Sequence, residues 1–251
     1  MTVYLDLAPN RHLAFHKVKG NGPTVVFLGG FKSDMTGTKA VAVQGWALKR
    51  GQAFLRFDYS GHGQSSGNFV DGCIGDWRDD AAAMIAAETA GPVVLVGSSM
   101  GGWISLLLAR MMPERVVGLV GLAAAPDFTD DIWDSMTPAQ RDTMLREGQI
   151  AEPSEYGEQY IYTHRLIEDG RKQRIFDRPL HLSFPTRWLQ GMADTSVPVA
   201  TSLRLMDHAT GPDLRLTLIK DADHRLSTPD CLELIIATVQ DVVERAVRLE
   251  K

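Results

Sequence analysis

Short apolar runs alternate with longer segments of helical periodicity along most of the chain. The runs that predict β-strands lie at residues 4–7, 13–18, 24–28, 53–57, 93–96, 116–123, 187–190 and 214–219. The segments that predict helices lie at residues 38–50, 75–89, 100–112, 197–208 and 232–246. Strands that alternate with helices are typical of a mostly parallel sheet flanked by helices. The first two runs have no helix between them and predict an antiparallel hairpin.

The last predicted helix has the clearest amphipathic pattern. Its apolar residues recur at intervals of three and four positions, and they are Leu232, Ile235, Ile236, Val239, Val242, Val243 and Ala246. This spacing places them on one face of a helix. Thr228 and Pro229 precede them, and a hydroxyl residue followed by proline is a start signal for a helix.

One long segment interrupts the alternation of strands and helices. Residues 127–184 contain patches of helical periodicity but no run that predicts a strand. Because this segment lies between two predicted core strands, we interpret it as a helical cap inserted over the edge of the sheet. The sequence therefore predicts a core domain of residues 1–126 and 185–251, and a cap of residues 127–184.

Composition and charge exclude several classes of protein. Of the 251 residues, 44% are hydrophobic and 23% are charged, which is ordinary for a globular chain. The formal net charge of −5 argues against a general nucleic-acid binder, which needs a surplus of Lys and Arg to neutralise phosphates. The two cysteines, Cys73 and Cys231, lie outside any CxxC pair, so we expect neither a disulfide framework nor a metal site.

The first twenty residues contain no targeting signal of a familiar kind. They lack a basic segment followed by an apolar one, and they lack the Arg- and Ser-rich character of a transit peptide. No apolar run approaches the length of about 18 residues that would span a membrane. We therefore expect a cytoplasmic protein without a membrane span.

A glycine-flanked serine follows the strand predicted at residues 93–96. Residues 97–101 have the sequence GSSMG, which matches the pattern G-x-S-x-G, and an apolar helix follows directly. A serine on such a strand-to-helix turn exposes its hydroxyl, and the flanking glycines have no Cβ to collide with neighbouring backbone. Because only Ser99 has glycine two positions away on both sides, we predict that Ser99 is a nucleophile. The alternative is a Gly/Ser turn without chemistry.

A serine nucleophile needs a base to take its proton and an acid to orient that base. On this type of turn the acid and then the base follow the serine along the chain. His224 lies in a polar loop after the last predicted strand, and Asp194 lies in the loop after the preceding predicted strand. We predict that His224 is the base and Asp194 the acid. Asp127, in the loop after an earlier strand, is the rival acid.

Backbone N–H groups near Ser99 are expected to form an oxyanion hole, which stabilises the negative oxygen of a tetrahedral intermediate. One N–H belongs to Met100, the residue after the nucleophile. The other is expected from residues 29–32, which follow a predicted strand, and Phe31 is our choice there.

Three segments of the chain together resemble a known family. They are residues 29–40 (GGFKSDMTGTKA), 56–67 (RFDYSGHGQSSG) and 97–103 (GSSMGGW). They resemble the subfamily of α/β-hydrolases that comprises palmitoyl-protein thioesterases able to hydrolyse acyl glucuronides as well. The resemblance covers roughly residues 24–125 and 185–225.

The resemblance implies the α/β-hydrolase fold, hydrolysis of acyl thioesters or esters, and no cofactor. It implies a small-molecule or acyl-chain substrate and the triad of Ser99, Asp194 and His224. Mammalian members are mitochondrial, and the lack of a transit peptide signal in this chain points to a bacterial cytoplasmic relative. The oligomeric state is not predicted.

Other functions remain open at this point. A serine aminopeptidase or a C–C bond hydrolase uses the same triad on the same fold. A non-catalytic ligand-binding homologue is a further alternative, because a fold does not determine a function. Hydrolysis of a generic nitrophenyl ester would separate an enzyme from such a receptor.

The loop of residues 58–67 is interpreted as structural. Its glycines permit tight turns beneath the expected pocket. His62 is interpreted as a loop histidine, with a substrate contact as the alternative.

The predicted cap is asymmetric in charge. Residues 127–158 carry nine acidic and two basic residues, whereas residues 159–184 carry five basic and three acidic residues. The simple interpretation is a solvated face with local ion pairs. The functional alternative is that Arg171 and Arg174 bind an anionic leaving group, because guanidinium pairs well with carboxylate or phosphate. The residues expected to supply apolar surface for the acyl part are Met144, Tyr156, Tyr160 and Tyr162.

Overall fold

The computed structural model describes residues 2–152 and 159–249 of the chain. Within these residues the strands are β1 (Val3–Ala8), β2 (Arg11–Val18), β3 (Asn21–Leu28), β4 (Gln52–Phe57), β5 (Val93–Ser98), β6 (Val116–Leu122), β7 (Gln149–Glu152), β8 (Tyr160–Thr163), β9 (Leu180–His181), β10 (Thr186–Gly191), β11 (Ala209–Thr210) and β12 (Leu214–Ile219). The α-helices are α1 (Thr38–Arg50), α2 (Ile74–Glu88), α3 (Met100–Met111), α4 (Phe128–Ser135), α5 (Pro138–Glu147), α6 (His164–Lys172), α7 (Val199–His208) and α8 (Pro229–Leu249). Every element predicted outside residues 127–184 is present, with bounds within three residues of the prediction.

Eight strands form the central sheet, in the order β1-β2-β4-β3-β5-β6-β10-β12. The pairs β1–β2 and β2–β4 are antiparallel, and all other neighbours are parallel. The predicted hairpin and the predicted parallel sheet are therefore confirmed. Because parallel strands end at the same edge, the loops after β5, β10 and β12 meet there, which is where open α/β sheets form their sites.

Both faces of the sheet are buried beneath helices. Along β5, Val93 and Leu95 belong to one apolar cluster, whereas Val94 and Val96 belong to the other. Successive side chains of a strand point to opposite faces, so a strand covered on both sides is a continuous apolar run. Helices α2 and α3 contribute to the first cluster, and α1 and α8 contribute to the second. Of the helices in the described residues, none combines the length and the apolar character needed to cross a bilayer.

Residues 127–184 contain helices α4, α5 and α6, but they also contain a hairpin. Strands β7 and β8 pair antiparallel, from Gln149 opposite Thr163 to Glu152 opposite Tyr160. The expectation that this segment has no strand was therefore wrong. Each strand has only four residues, which is too short for an alternating pattern to be recognised. The division of the chain into a core and a cap stays a prediction.

Candidate active site

Ser99 lies on the sharp turn between β5 and α3, with φ 54° and ψ −117°. A non-glycine residue rarely adopts positive φ, and such strain typically costs about 1–3 kcal/mol. The two glycines of the motif make the turn possible. A Cβ on Gly101 would lie 2.1 Å from the carbonyl oxygen of Leu28, and a Cβ on Gly97 would lie 2.3 Å from that of Gly101. The G-x-S-x-G spacing is therefore a steric requirement of this turn.

The structure brings the predicted triad residues together. Ser99 Oγ lies 3.2 Å from His224 Nε2, and His224 Nδ1 lies 2.8 Å from Asp194 Oδ2. A carboxylate only accepts hydrogen bonds, so Nδ1 carries the proton of the neutral ring and Nε2 accepts from the serine hydroxyl. This arrangement is the one in which an imidazole can remove a proton from a serine.

The Asp194 carboxylate is held by several donors. Its Oδ1 accepts from the N–H groups of Ser196 at 2.9 Å and Val197 at 2.8 Å, and its Oδ2 also accepts from Gln190 Nε2 at 3.0 Å. Burial raises the pKa of Asp194, but the hydrogen bonds from His224 and Val197 outweigh it and hold the pKa below its ordinary value. The carboxylate is therefore ionised at neutral pH and can accept the hydrogen bond from His224 Nδ1.

Gln190 is a site residue that the sequence reasoning missed. Its Nε2 donates to Asp194 and to the carbonyl of Val197 at 3.0 Å, and its Oε1 accepts from Ser202 Oγ at 2.9 Å. Gln190 is fully buried at the end of β10. A buried amide needs partners, so a glutamine at the end of an apolar strand was the available signal.

Lys39 is a second residue near the site that the sequence did not predict. It lies in the first turn of α1, and its Nζ donates to the carbonyl of Arg225 at 2.5 Å, directly after His224. Burial lowers the pKa of Lys39 to about 8, although Asp223 and Asp194 act in the opposite direction. A lysine on an amphipathic helix is usually solvated, so the sequence contained no signal for this contact.

Asp127, the rival acid, lies in a different environment. Its Oδ1 accepts from the N–H of Ile175 at 2.7 Å, and its Oδ2 accepts from the N–H of Phe176 at 3.1 Å. Burial raises the pKa of Asp127. The carboxylate that contacts the imidazole of His224 is that of Asp194.

The loop that contains Phe31 borders Ser99. A Cβ on Gly30 would lie 3.4 Å from the Cβ of Ser99. Among the described residues, none accepts a hydrogen bond from the N–H of Phe31. Met100 is the first residue of α3, so its N–H has no carbonyl within the helix to bind. Both groups are near Ser99 in the chain or in space, and their role as oxyanion donors stays a prediction.

Aromatic side chains surround Phe31. Its ring stacks on Tyr162 at 5.8 Å between centroids and meets Tyr160 edge-on at 5.8 Å. Two predicted apolar residues therefore lie against the loop next to Ser99. Met144 lies in a small apolar cluster with Ile150, and Tyr162 packs against this cluster as well. Tyr156 lies outside the described residues.

The two predicted anion ligands are engaged in ion pairs. Arg171 Nη1 lies 2.5 Å from Glu168 Oε1, and its guanidinium lies over the ring of Trp133. Arg174 binds both oxygens of Asp130, through Nε at 2.7 Å and Nη2 at 3.0 Å. Anion binding by either arginine stays a prediction, and it would require the guanidinium to leave or share these carboxylates.

Comparison with known proteins extends the resemblance beyond the motifs. The model of a family described as the alpha/beta hydrolase family matches residues 25–248, which include the predicted cap. The chain is 34% identical to palmitoyl-protein thioesterase ABHD10, mitochondrial, of Rattus norvegicus, over 93% of this chain and 79% of the rat protein. It is also 34% identical to the Homo sapiens protein of the same name, over 93% of this chain and 77% of the human protein.

Solved structures are similar over the whole length. Alpha/beta hydrolase domain-containing protein 10 from mouse has a TM-score of 0.91 and 33% identity, over 97% of this chain and 98% of that one. A protein from Agrobacterium vitis S4, named only as a candidate hydrolase, has a TM-score of 0.92 and 37% identity over the same shares.

Proposed function

The chain belongs to the alpha/beta hydrolase family, and we propose that it hydrolyses acyl thioesters and carboxylic esters with Ser99, His224 and Asp194 as its triad. The observation that carries the proposal is the unbroken hydrogen-bonded series from the serine hydroxyl through both imidazole nitrogens to a buried carboxylate. The strained backbone of the serine supports it, because strain of this kind is concentrated at functional sites.

In the first half of the reaction, the acyl group passes to the enzyme. Ser99 Oγ attacks the acyl carbon while His224 Nε2 takes the hydroxyl proton, and Asp194 stabilises the imidazolium that results. The carbonyl oxygen becomes an oxyanion, which the N–H groups of Phe31 and Met100 stabilise. The intermediate then collapses, and the leaving thiol or alcohol departs with the proton from His224.

In the second half, water releases the acid. His224 Nε2 takes a proton from a water molecule, whose oxygen attacks the acyl carbon of the ester on Ser99. A second tetrahedral intermediate collapses, and the proton returns from His224 to Ser99 Oγ. The carboxylic acid is released and the triad is restored, so the cycle consumes one water molecule and no cofactor.

The thioester part of the proposal is supported by the relatives. Proteins named palmitoyl-protein thioesterase are 34% identical over most of this chain. The rings of Tyr160 and Tyr162 pack on that of Phe31, which belongs to the loop next to Ser99, and such apolar surface suits an acyl chain. We propose that residues 127–184, which contain two of these rings, act as a cap over the site. The cytoplasmic location stays a prediction.

A panel of thioesters and oxyesters tests the proposal. Acyl thioesters and matched nitrophenyl esters of graded chain length are assayed with the wild type, Ser99→Ala and Ser98→Ala. Ser98 is buried on β5 one residue before the nucleophile, so its variant is the matched control. We expect hydrolysis by the wild type and Ser98→Ala, and none by Ser99→Ala. Hydrolysis that survives in Ser99→Ala, or a wild type inactive on every compound, would refute the proposal.

A further inference from the structure

His62 makes two hydrogen bonds to backbone, and together they determine its tautomer. Nδ1 lies 3.2 Å from the carbonyl oxygen of Ser60, and Nε2 lies 3.3 Å from the backbone nitrogen of Lys32. A carbonyl oxygen only accepts and an N–H only donates, so Nδ1 carries the proton and Nε2 accepts from Lys32. The imidazole therefore connects the 58–67 loop to the loop that follows β3.

The surroundings of His62 keep the ring neutral and fixed. The side chain is 4% exposed and meets the rings of Tyr59, Phe69 and Trp77 edge-on, at 5.5, 5.1 and 5.1 Å. Burial lowers the pKa of His62 to about 4. At neutral pH the lone pair of Nε2 is therefore available to accept a hydrogen bond.

The peptide that His62 binds belongs to a strained turn. The N–H of Ser33 donates to the carbonyl of Gly30 at 3.1 Å, which closes a four-residue turn. Lys32 stands at the third position with φ 58°, where glycine is the usual residue. A lysine with positive φ is strained, so surrounding contacts must stabilise this conformation. One such contact is the hydrogen bond from the N–H of Lys32 to His62 Nε2.

Phe31 stands in the same turn, one residue before the bound peptide nitrogen. Its ring meets Phe69 at 4.8 Å and Trp77 at 5.9 Å, and both rings also contact His62. The imidazole and the side chain of Phe31 are thus packed on shared neighbours. Movement of His62 would be transmitted to Phe31 through the backbone and through these rings.

We propose that His62 is a positioning residue, which holds the Phe31–Lys32 peptide so that the N–H of Phe31 faces the oxyanion. This inference rests on the proposed function, since it concerns the stabilisation of the same tetrahedral intermediate. His62 itself touches no reacting atom. It acts through the turn of residues 30–33.

Three variants of His62 separate this role from simple packing. His62→Phe keeps an aromatic ring but has no acceptor for the N–H of Lys32. His62→Gln places an amide oxygen near the position of Nε2, whereas His62→Asn reaches only the position of Nδ1. We expect kcat to fall about 10- to 100-fold in His62→Phe and His62→Asn with KM within about twofold, because loss of a whole oxyanion donor typically costs about 10²–10³. His62→Gln should recover most of the activity.

A tetrahedral inhibitor provides a readout that a merely structural role would not move. An acyl trifluoromethyl ketone adds to the serine and presents its oxyanion to the same N–H groups. Its inhibition constant should rise in His62→Phe by the factor by which kcat falls. The control is His208→Phe, which also removes two imidazole contacts to backbone carbonyls, those of Ile175 and Arg178, and should lower Tm without lowering kcat.

Amide hydrogen exchange tests the turn independently of activity. The N–H of Lys32 should be protected in the wild type, protected in His62→Gln, and exposed in His62→Phe. Equal exchange in the wild type, His62→Gln and His62→Phe, an unchanged kcat in His62→Phe, or a Gln variant no more active than the Phe variant would overturn the inference. If the wild type hydrolyses no ester while the N–H of Lys32 exchanges as expected, the proposed function is refuted, but the structural role of His62 in the turn is supported.

Discussion

Asp194→Asn is the sharpest test of the acid, because it changes one group in an intact network. The carboxylate accepts from four donors, which are the backbone N–H groups of Ser196 and Val197, the amide of Gln190, and His224 Nδ1. An asparagine has only one acceptor oxygen. If that oxygen stays with the two backbone donors, its NH₂ group faces His224 Nδ1.

The consequence is the wrong tautomer of the base. A donor opposite Nδ1 forces Nδ1 to accept, and the proton of the neutral ring then lies on Nε2, which faces Ser99 Oγ at 3.2 Å. Such a ring cannot take the serine proton. In a serine protease the equivalent change costs about 10⁴ in kcat, so we expect a loss of about 10³–10⁴ here. At about 1.4 kcal/mol for each factor of ten, this is about 4–5.5 kcal/mol of transition-state stabilisation.

The assay measures kcat and KM of a nitrophenyl ester for Asp194→Asn, with Asp127→Asn as the matched control. The Asp127 carboxylate binds the N–H groups of Ile175 and Phe176, so its variant should lose stability while kcat stays within about threefold. Circular dichroism should show that both variants fold. An active Asp194→Asn together with an inactive Asp127→Asn would refute the assignment of the acid.

Four further predictions follow from the same geometry. A fluorophosphonate should label Ser99, and a modified peptide mapped by mass spectrometry to Ser98 would contradict the elbow assignment. Gly101→Ala should lower the free energy of unfolding by about 3 kcal/mol in urea titrations, because its Cβ would lie 2.1 Å from a backbone oxygen; a loss below about 1 kcal/mol would argue against the steric requirement. Burial raises the pKa of Asp194 in the folded protein, but hydrogen bonds outweigh burial and hold this pKa below its ordinary value. The ionised carboxylate therefore stabilises the folded state above about pH 4, and this stabilisation is lost as pH falls through the lowered pKa. The Tm difference between wild type and Asp194→Asn should therefore shrink on acidification, and a constant difference would contradict the sign. Lys39→Met should lower kcat about tenfold by releasing the loop after the base, whereas Lys39→Arg should keep most of it; equal kcat values in all three proteins would exclude a positioning role.

Local sequence determined the elements outside residues 127–184 and indicated the serine that we propose as the nucleophile. Apolar runs bounded by turn residues predicted the strands, because burial on both faces of a sheet requires consecutive apolar side chains. Ser99 was predicted because the steric demands of its turn are met by glycines two residues away, which is a local pattern. The short hairpin of β7 and β8 was missed, since four-residue strands depend on a partner and not on their own periodicity.

The tertiary structure alone decided which residues meet. Asp127 and Asp194 both follow a strand of the sheet, and nothing in either loop distinguishes them locally. Strand β10 lies directly beside β12, whereas β6 lies one strand further away, so the loop that carries Asp194 reaches His224. The contact between Lys32 and His62 likewise joins two loops thirty residues apart. Strand order and long-range packing arise from the burial of the whole sheet, and a local pattern of residues does not contain that information.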